Sequence, residues 1–269
     1  MTGTFAGRQP RLGILGAGRL GAAIALRWRS IGNQEAKVWS RRFDHHDADK
    51  PDDLPFGVAS IASVMSAYTV IAAIPSSGLA ELASHHRSIT EFSGTLLVTG
   101  IDLPLKDIQR VVPGALVARV IPALLSAPHS IPCLVLNGGH AGEHWDRAET
   151  VIKMLGPVHC VSDERTLETL MYLTSPFPVV LRSALADMVA STLAQSRVDP
   201  EWQPLAEQVL WQALSSIAST LAQSDSIEAE VATPGGVTAT GLREVPTISR
   251  ALQDALQIMM RHGRRPRDR

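Results

Sequence analysis

Six residues constrain this chain more than any others: Gly16-Ala17-Gly18-Arg19-Leu20-Gly21 follow directly on the β-rich run Leu12–Leu15 and open a helical pattern that continues to Ile31. A glycine triplet placed between a strand and a helix does three separate jobs. Gly16 permits the tight turn, Gly18 lets backbone N–H groups approach a pyrophosphate, and Gly21 allows the helix to pack closely on the strand. The helix N-terminus then faces the anion. Gly16, Ala17, Gly18, Arg19, Leu20 and Gly21 are therefore candidate cofactor-binding residues. The bland alternative is an ordinary glycine-rich turn.

The rest of the first half fits that start. Strand candidates at Ala36–Trp39, Thr69–Ile74, Thr95–Thr99, Ala115–Ile121 and Cys133–Leu136 alternate with helix candidates at Gly78–His86, Leu105–Val111 and His144–Leu155. Such alternation builds βαβ units and a parallel sheet. After about Val161 the β-rich runs stop, and apolar residues three and four apart take over, as in Val179–Ala194, in the segment from Asp199-Pro200 to about Ala222, and in the stripe Ile248, Leu252, Leu256, Met259 closed by Gly263. With 269 residues to divide, the expectation is an α/β doubly wound (Rossmann-like) domain over 1–161 and an all-α dimerisation domain over 162–269. The wide apolar faces of the helical half predict a homodimer or a higher oligomer built from dimers; a self-contained bundle is the alternative.

About twenty residues past the glycines, a dinucleotide without a 2′-phosphate meets an Asp or Glu at the end of the second strand. Here stand Ser40, Arg41 and Arg42. Guanidinium groups hold a 2′-phosphate by charge-assisted hydrogen bonds, and an Arg also stacks on adenine. The expected cofactor is NADPH (NADP), although Asp44 lies close by and the arginines could simply be solvated.

The second half is informative by what it lacks. From Val161 onward there is no Lys, no Cys and a single His, His262. A ketone reductase needs a Lys, His or Tyr to protonate the developing alkoxide, and Tyr172 has no Lys four residues on. A protonated imine arrives with its own positive charge and creates no oxyanion, so an iminium acceptor fits this inventory; an acid contributed by the first domain is the alternative. In Val231–Leu242, the stretch Pro234-Gly235-Gly236-Val237-Thr238 reads as a tight loop at a helix start, with unpaired N–H groups that suit a carboxylate and the hydroxyl of Thr238 beside them. Thr238 as a plain helix cap is the alternative.

Other classes are disfavoured. Lys and Arg number 25 against 26 Asp and Glu, so no basic footprint marks a nucleic-acid partner. Cys133 and Cys160 are too few for a disulfide framework and suit a reducing, cytoplasmic setting. The first residues lack the charged and apolar regions of a secretory signal, and charges interrupt the apolar segments, so no membrane partner is expected. His140 and His144 have no third ligand at a recognisable spacing, and no metal is expected. Neither a Gly-x-Ser-x-Gly elbow nor a phosphate-loop Gly-Lys-Ser/Thr occurs.

Taken in order, the Gly16–Gly21 motif, Arg119-x-x-Pro122, Leu155-Gly156 and Pro234-Gly235-Gly236-x-Thr238 with Gly241-Leu242 give a chain that resembles the pyrroline-5-carboxylate reductases along its whole length. The resemblance implies NADPH-dependent reduction of 1-pyrroline-5-carboxylate to L-proline, with a helical dimerisation domain. It also implies that Ile74 and Pro75 line the cofactor, that Pro122, Gly235, Gly236 and Thr238 bind the imine carboxylate, and that Thr238 acts on the substrate nitrogen as the catalytic residue. The chain departs from the family pattern at Ile74 (usually Lys), Ala123 (usually Asn), Val237 (usually Thr) and Ser175–Val180, where Gly-x-Gly-Pro-Ala-Tyr is usual. Those departures keep two further readings open: a reductase of a different imine in a specialised pathway, and a non-catalytic NADPH-binding regulatory paralogue.

Overall fold

The computed structural model describes residues 12–32, 36–43, 56–123, 130–221 and 236–263. Its centre is an eight-stranded sheet in the order β3-β2-β1-β4-β5-β6-β7-β8, formed by β1 (Leu12–Leu15), β2 (Lys37–Trp39), β3 (Gly57–Val58), β4 (Thr69–Ala72), β5 (Thr95–Val98), β6 (Leu116–Pro122), β7 (Cys133–Leu136) and β8 (Val158–Cys160). The first six strands have the doubly wound order, whose direction reverses between β1 and β4. Helices α1 (Arg19–Ser30), α2 (Ile61–Val64), α3 (Ser76–His85), α4 (Arg87–Thr90), α5 (Leu105–Val111), α6 (Glu143–Leu155) and α7 (Glu164–Thr174) connect and follow them. The expected α/β doubly wound (Rossmann-like) domain is what the first half forms.

A parallel sheet is buried on both faces, and period-two alternation sorts each strand's side chains between them. Leu12 and Ile14, Ile71, Leu97, and Ala118 with Val120 pack toward Trp28 of α1 and toward Trp145, Ala148 and Ile152 of α6. Leu15, Val70 with Ala72, Leu96 with Val98, and Val117 point the other way, onto Val64, Leu79, Ile89 and Ile108. This arrangement makes the sheet the rigid base on which the loops at its carboxyl edge are carried.

Three features differ from the sequence expectation. β7 runs antiparallel to β6, with Arg119 opposite Leu136 and Pro122 opposite Cys133; the link from Ala123 to Pro132 is shorter than the dozen or so residues a parallel crossover needs. β3 and β8, at two and three residues, are too short to leave a periodic signal. The compact units divide at Ser175/Pro176 instead of after 161, because α7 packs on the sheet through Leu167 and Met171 beside Ile121 and Leu136. Asp163 caps α7 by accepting from Thr166 N at 2.9 Å.

The second unit, Pro176–Gly263, is helical in its described residues: α8 (Pro176–Gln195), a 3-10 turn (Pro200–Trp202), α9 (Gln203–Leu221), α10 (Val237–Leu242) and α11 (Val245–Gly263). Asp199 accepts from Glu201 N at 3.0 Å with Pro200 at the first helical position, the start the sequence predicts; Ala222, where that helix was expected to end, lies outside the described residues. Among described residues of this unit only Val189 is buried, while Val179, Met188, Trp202, Leu205, Val209, Ile248 and Ile258 are exposed. By length and composition alone the run Glu164–Gln195 is apolar enough to cross a membrane, with a mean hydropathy of 1.3 over an 18-residue window. Arg182 and Asp187 interrupt the run after the charges at its start, Glu164, Arg165 and Glu168.

Burial pushes the Cys133 thiol up to about 12, whereas Cys160 is exposed. A disulfide-exchange reagent at pH 8 is expected to titrate one thiol in the native chain and two after denaturation, since the thiolate is the reactive form; two fast thiols in the native protein would contradict the packing around β7.

Candidate functional site

The switch point between β1 and β4 is where an open α/β sheet offers a crevice at its carboxyl edge. Register brings the ends of three strands together there: Leu15 of β1 lies opposite Trp39 of β2 and Ala72 of β4. Gly16 N donates to Trp39 O at 2.7 Å and Ala73 N to Leu15 O at 2.8 Å, so the glycine turn is tied to both neighbouring strands.

Gly16 has φ of +106°, a backbone that L side chains rarely adopt, and a Cβ there would meet Ala73 O at 2.7 Å. A Cβ on Gly21 would lie 1.9 Å from Gly16 O, so only glycine lets α1 sit this close to the strand it leaves. Gly18 is the opposite case. It is extended, caps α1 without any side-chain hydrogen bond, and a Cβ there would meet nothing within 4 Å. The first turn of α1, at Arg19, Leu20 and Gly21, therefore offers N–H groups to an open space.

Ser40 directly follows β2, and Arg41 and Arg42 come next, exposed on a short 3-10 turn. Asp44 lies outside the described residues. Ile74 packs its Cγ2 against the glycine turn, 2.7 Å from where a Gly16 Cβ would be, and Pro75 is the residue before α3. Pro122 is buried at the end of β6 and paired with Cys133. In the second unit Gly236 opens α10 with no side-chain cap, and Thr238 is exposed at its second residue. Gly236 occupies the cap position, so the plain capping role for Thr238 does not describe this helix. Gly235 lies outside the described residues.

Sequence reasoning passed over the polar cluster on the β5 side of the crevice. Asp102 accepts from Ser76 N at 2.7 Å and Ser77 N at 2.9 Å, both at the start of α3. Partial burial pushes its carboxyl up, but hydrogen bonds from the Ser77 side chain and from the Ser77 and Ser76 amides outweigh that and hold it below its ordinary value. Arg119, 1% exposed, donates to Leu103 O at 2.5 Å and lies 3.4 Å from Glu164 Oε1. Its Nε has no hydrogen-bond partner among the described residues. Burial lowers the guanidinium's pKa, and Glu164, Glu168 and Asp102 act against that shift. The signal was available: a charged residue inside an apolar strand needs a partner. Among the described residues no group of three metal-binding side chains converges.

The glycines make a paired test. Gly21→Ala is expected to lower Tm by roughly 5 °C, as overpacking against backbone does. Gly18→Ala should leave the Tm of the free protein unchanged; loss of Tm in that variant would mean the space above the turn is not open.

No family model and no curated protein matches the sequence. Solved structures do match it in fold. A pyrroline carboxylate reductase from Plasmodium falciparum, solved with NADP bound, aligns over 95% of this chain and 97% of its own with a TM-score of 0.74 at 12% identity. A pyrroline-5-carboxylate reductase from Coxiella burnetii aligns over 95% and 98% with a TM-score of 0.73 at 14% identity. An imine reductase from a Pseudomonas species aligns over 96% and 93% with a TM-score of 0.52 at 15% identity. The chain thus carries, over 95% of its length, the fold of pyrroline-5-carboxylate reductases.

Proposed function

We propose that this protein is an NADPH-dependent oxidoreductase acting on a C=N bond, and that its substrate is a cyclic imine carboxylate, 1-pyrroline-5-carboxylate, which it reduces to L-proline. The observation that carries this reading is the start of α1 at Gly18, without a side-chain cap and tied through Gly16 and Trp39 to the strand that Ser40, Arg41 and Arg42 follow. An open helix N-terminus suits a diphosphate, and adjacent guanidinium groups suit a 2′-phosphate. The fold likeness to an NADP-bound pyrroline carboxylate reductase supports the same cofactor.

In this reading Gly16, Ala17, Gly18, Arg19, Leu20 and Gly21 hold the diphosphate, Ser40, Arg41 and Arg42 the 2′-phosphate, and Ile74 and Pro75 pack against the nicotinamide half. The chemistry such a cofactor supplies is a hydride. Pro122, Gly235 and Gly236 are this reading's residues for the substrate carboxylate, and the Thr238 hydroxyl accepts from the iminium N–H and fixes its orientation. An acceptor that is already cationic needs position and a matching field more than a proton donor. The exposed apolar faces of α8, α9 and α11 support a homodimer in which a second copy covers them, and the unpaired Cys133 and Cys160 support the cytoplasm as its setting.

A second reading, a reductase of another imine, is favoured by Ile74 and Ala123 at positions where the resembled family carries Lys and Asn. Following NADPH absorbance with pyrroline-5-carboxylate and its ring homologues separates the two: proline formation at a competitive rate supports the first, and a much faster homologue supports the second. Tight NADPH binding with no oxidation across the panel would leave the regulatory role. Arg41→Ala with Arg42→Ala is expected to raise KM for NADPH by tenfold or more and leave that for NADH nearly unchanged; equal effects would remove the 2′-phosphate assignment. Thr238→Ala should lower kcat about tenfold, the loss of about 1.4 kcal/mol in the transition state, and unchanged kinetics would exclude Thr238 from the chemistry.

A further inference from the structure

Among the described residues, two helices of at least eight residues begin at the switch point, α1 after β1 and α3 after β4, and their N-termini are treated oppositely. α1 starts at Gly18 with no side-chain cap. The first two amides of α3 are already taken by one carboxylate, Ser76 N by Asp102 Oδ1 and Ser77 N by Asp102 Oδ2. A carboxylate seated there both satisfies the orphan donors and neutralises the positive end of the helix.

The segment that carries Asp102 is itself braced from three elements. Ser76 Oγ of α3 donates to Gly100 O at 3.1 Å, Arg119 of β6 donates to Leu103 O at 2.5 Å, and Glu164 of α7 accepts from Leu105 N at 2.8 Å. Arg119 and Glu164 lie 3.4 Å apart and so hold each other in place. A buried charge inside a strand is a poor way to gain stability, since an apolar side chain of similar volume packs at lower desolvation cost. What Arg119 does achieve is a fixed course for residues 100–105.

We propose that Asp102 is a specificity-determining residue, and Arg119 and Glu164 its positioning residues: together they close the α3 terminus to anions, so that the cofactor's diphosphate is received at α1 alone and its uncharged nicotinamide end falls beside α3. This rests on the dinucleotide reading proposed above. In a doubly wound sheet the adenosine half lies over β1–β3 and the other half over β4–β6. The Asp102 cluster ties only elements from the second half and α7, so its loss should be felt by the nicotinamide end and not by the adenosine end.

Binding of NADPH and of adenosine 2′,5′-bisphosphate, which lacks the nicotinamide half and the diphosphate bridge, separates the possibilities. Asp102→Asn and Glu164→Gln are each expected to raise Kd for NADPH by about tenfold, because residues 100–105 and the start of α3 are then no longer held in place beside the nicotinamide half, while Kd for the bisphosphate stays within about twofold of the native chain. A purely structural role would weaken both ligands together and lower Tm, and that outcome overturns the proposal. So does a native-like Kd for NADPH in both variants. Glu164 is half-exposed, so Glu164→Gln keeps the test readable if Asp102→Asn does not fold. A native chain that binds neither compound is a different failure, seen before any substitution, and it brings down the dinucleotide reading itself.

Discussion

The close approach of α1 to the turn that precedes it governs the first unit. A Cβ on Gly21 would lie 1.9 Å from Gly16 O, a distance no side chain survives, so the two glycines set how tightly the helix seats against β1 and β4. From that seat follow the ties from Gly16 to Trp39 and from Ala73 to Leu15, the burial of Ile24 and Trp28 against the sheet, and the direction of the α1 N-terminus into the crevice. One backbone contact thus couples the packing of the core to the α1 N-terminus, whose Gly18 cap makes no side-chain hydrogen bond.

Charge divides the crevice between its halves. On the β2 side stand two exposed arginines; on the β5 side stand Asp102, Glu164 and the buried Arg119 that links them through the 100–105 segment. The helical unit works by another rule. Val189 is its only buried described residue.

Much of the first unit was legible because strand alternation and glycine spacing are local properties. Leu12–Leu15, Thr95–Val98 and Cys133–Leu136 stand where apolar β-rich runs predict them, and α6 begins within a residue of the expected start. β3 and β8 were not legible, since two- or three-residue strands are fixed by their neighbours and carry no period. The Asp102–Ser76 contact joins residues 26 apart in sequence, and Arg119 and Glu164 meet from different elements; no spacing rule ties them together. Arg119 was visible as a charge in an apolar run, but its partners were not.

The sequence by itself determined the alternation of strands and helices, the glycine turn with its required backbone, the absence of a carboxylate at Ser40–Arg42, and the change to helices after Val161, because each depends on residues within one or two turns of one another. Only the tertiary structure decided the reversal of β7, the boundary at Ser175, the capping of α3 by Asp102 and the openness of α1. Those depend on which distant backbone and side-chain groups arrive at the same edge of the sheet, and a carboxylate satisfies whichever donors the fold brings within 3 Å of it.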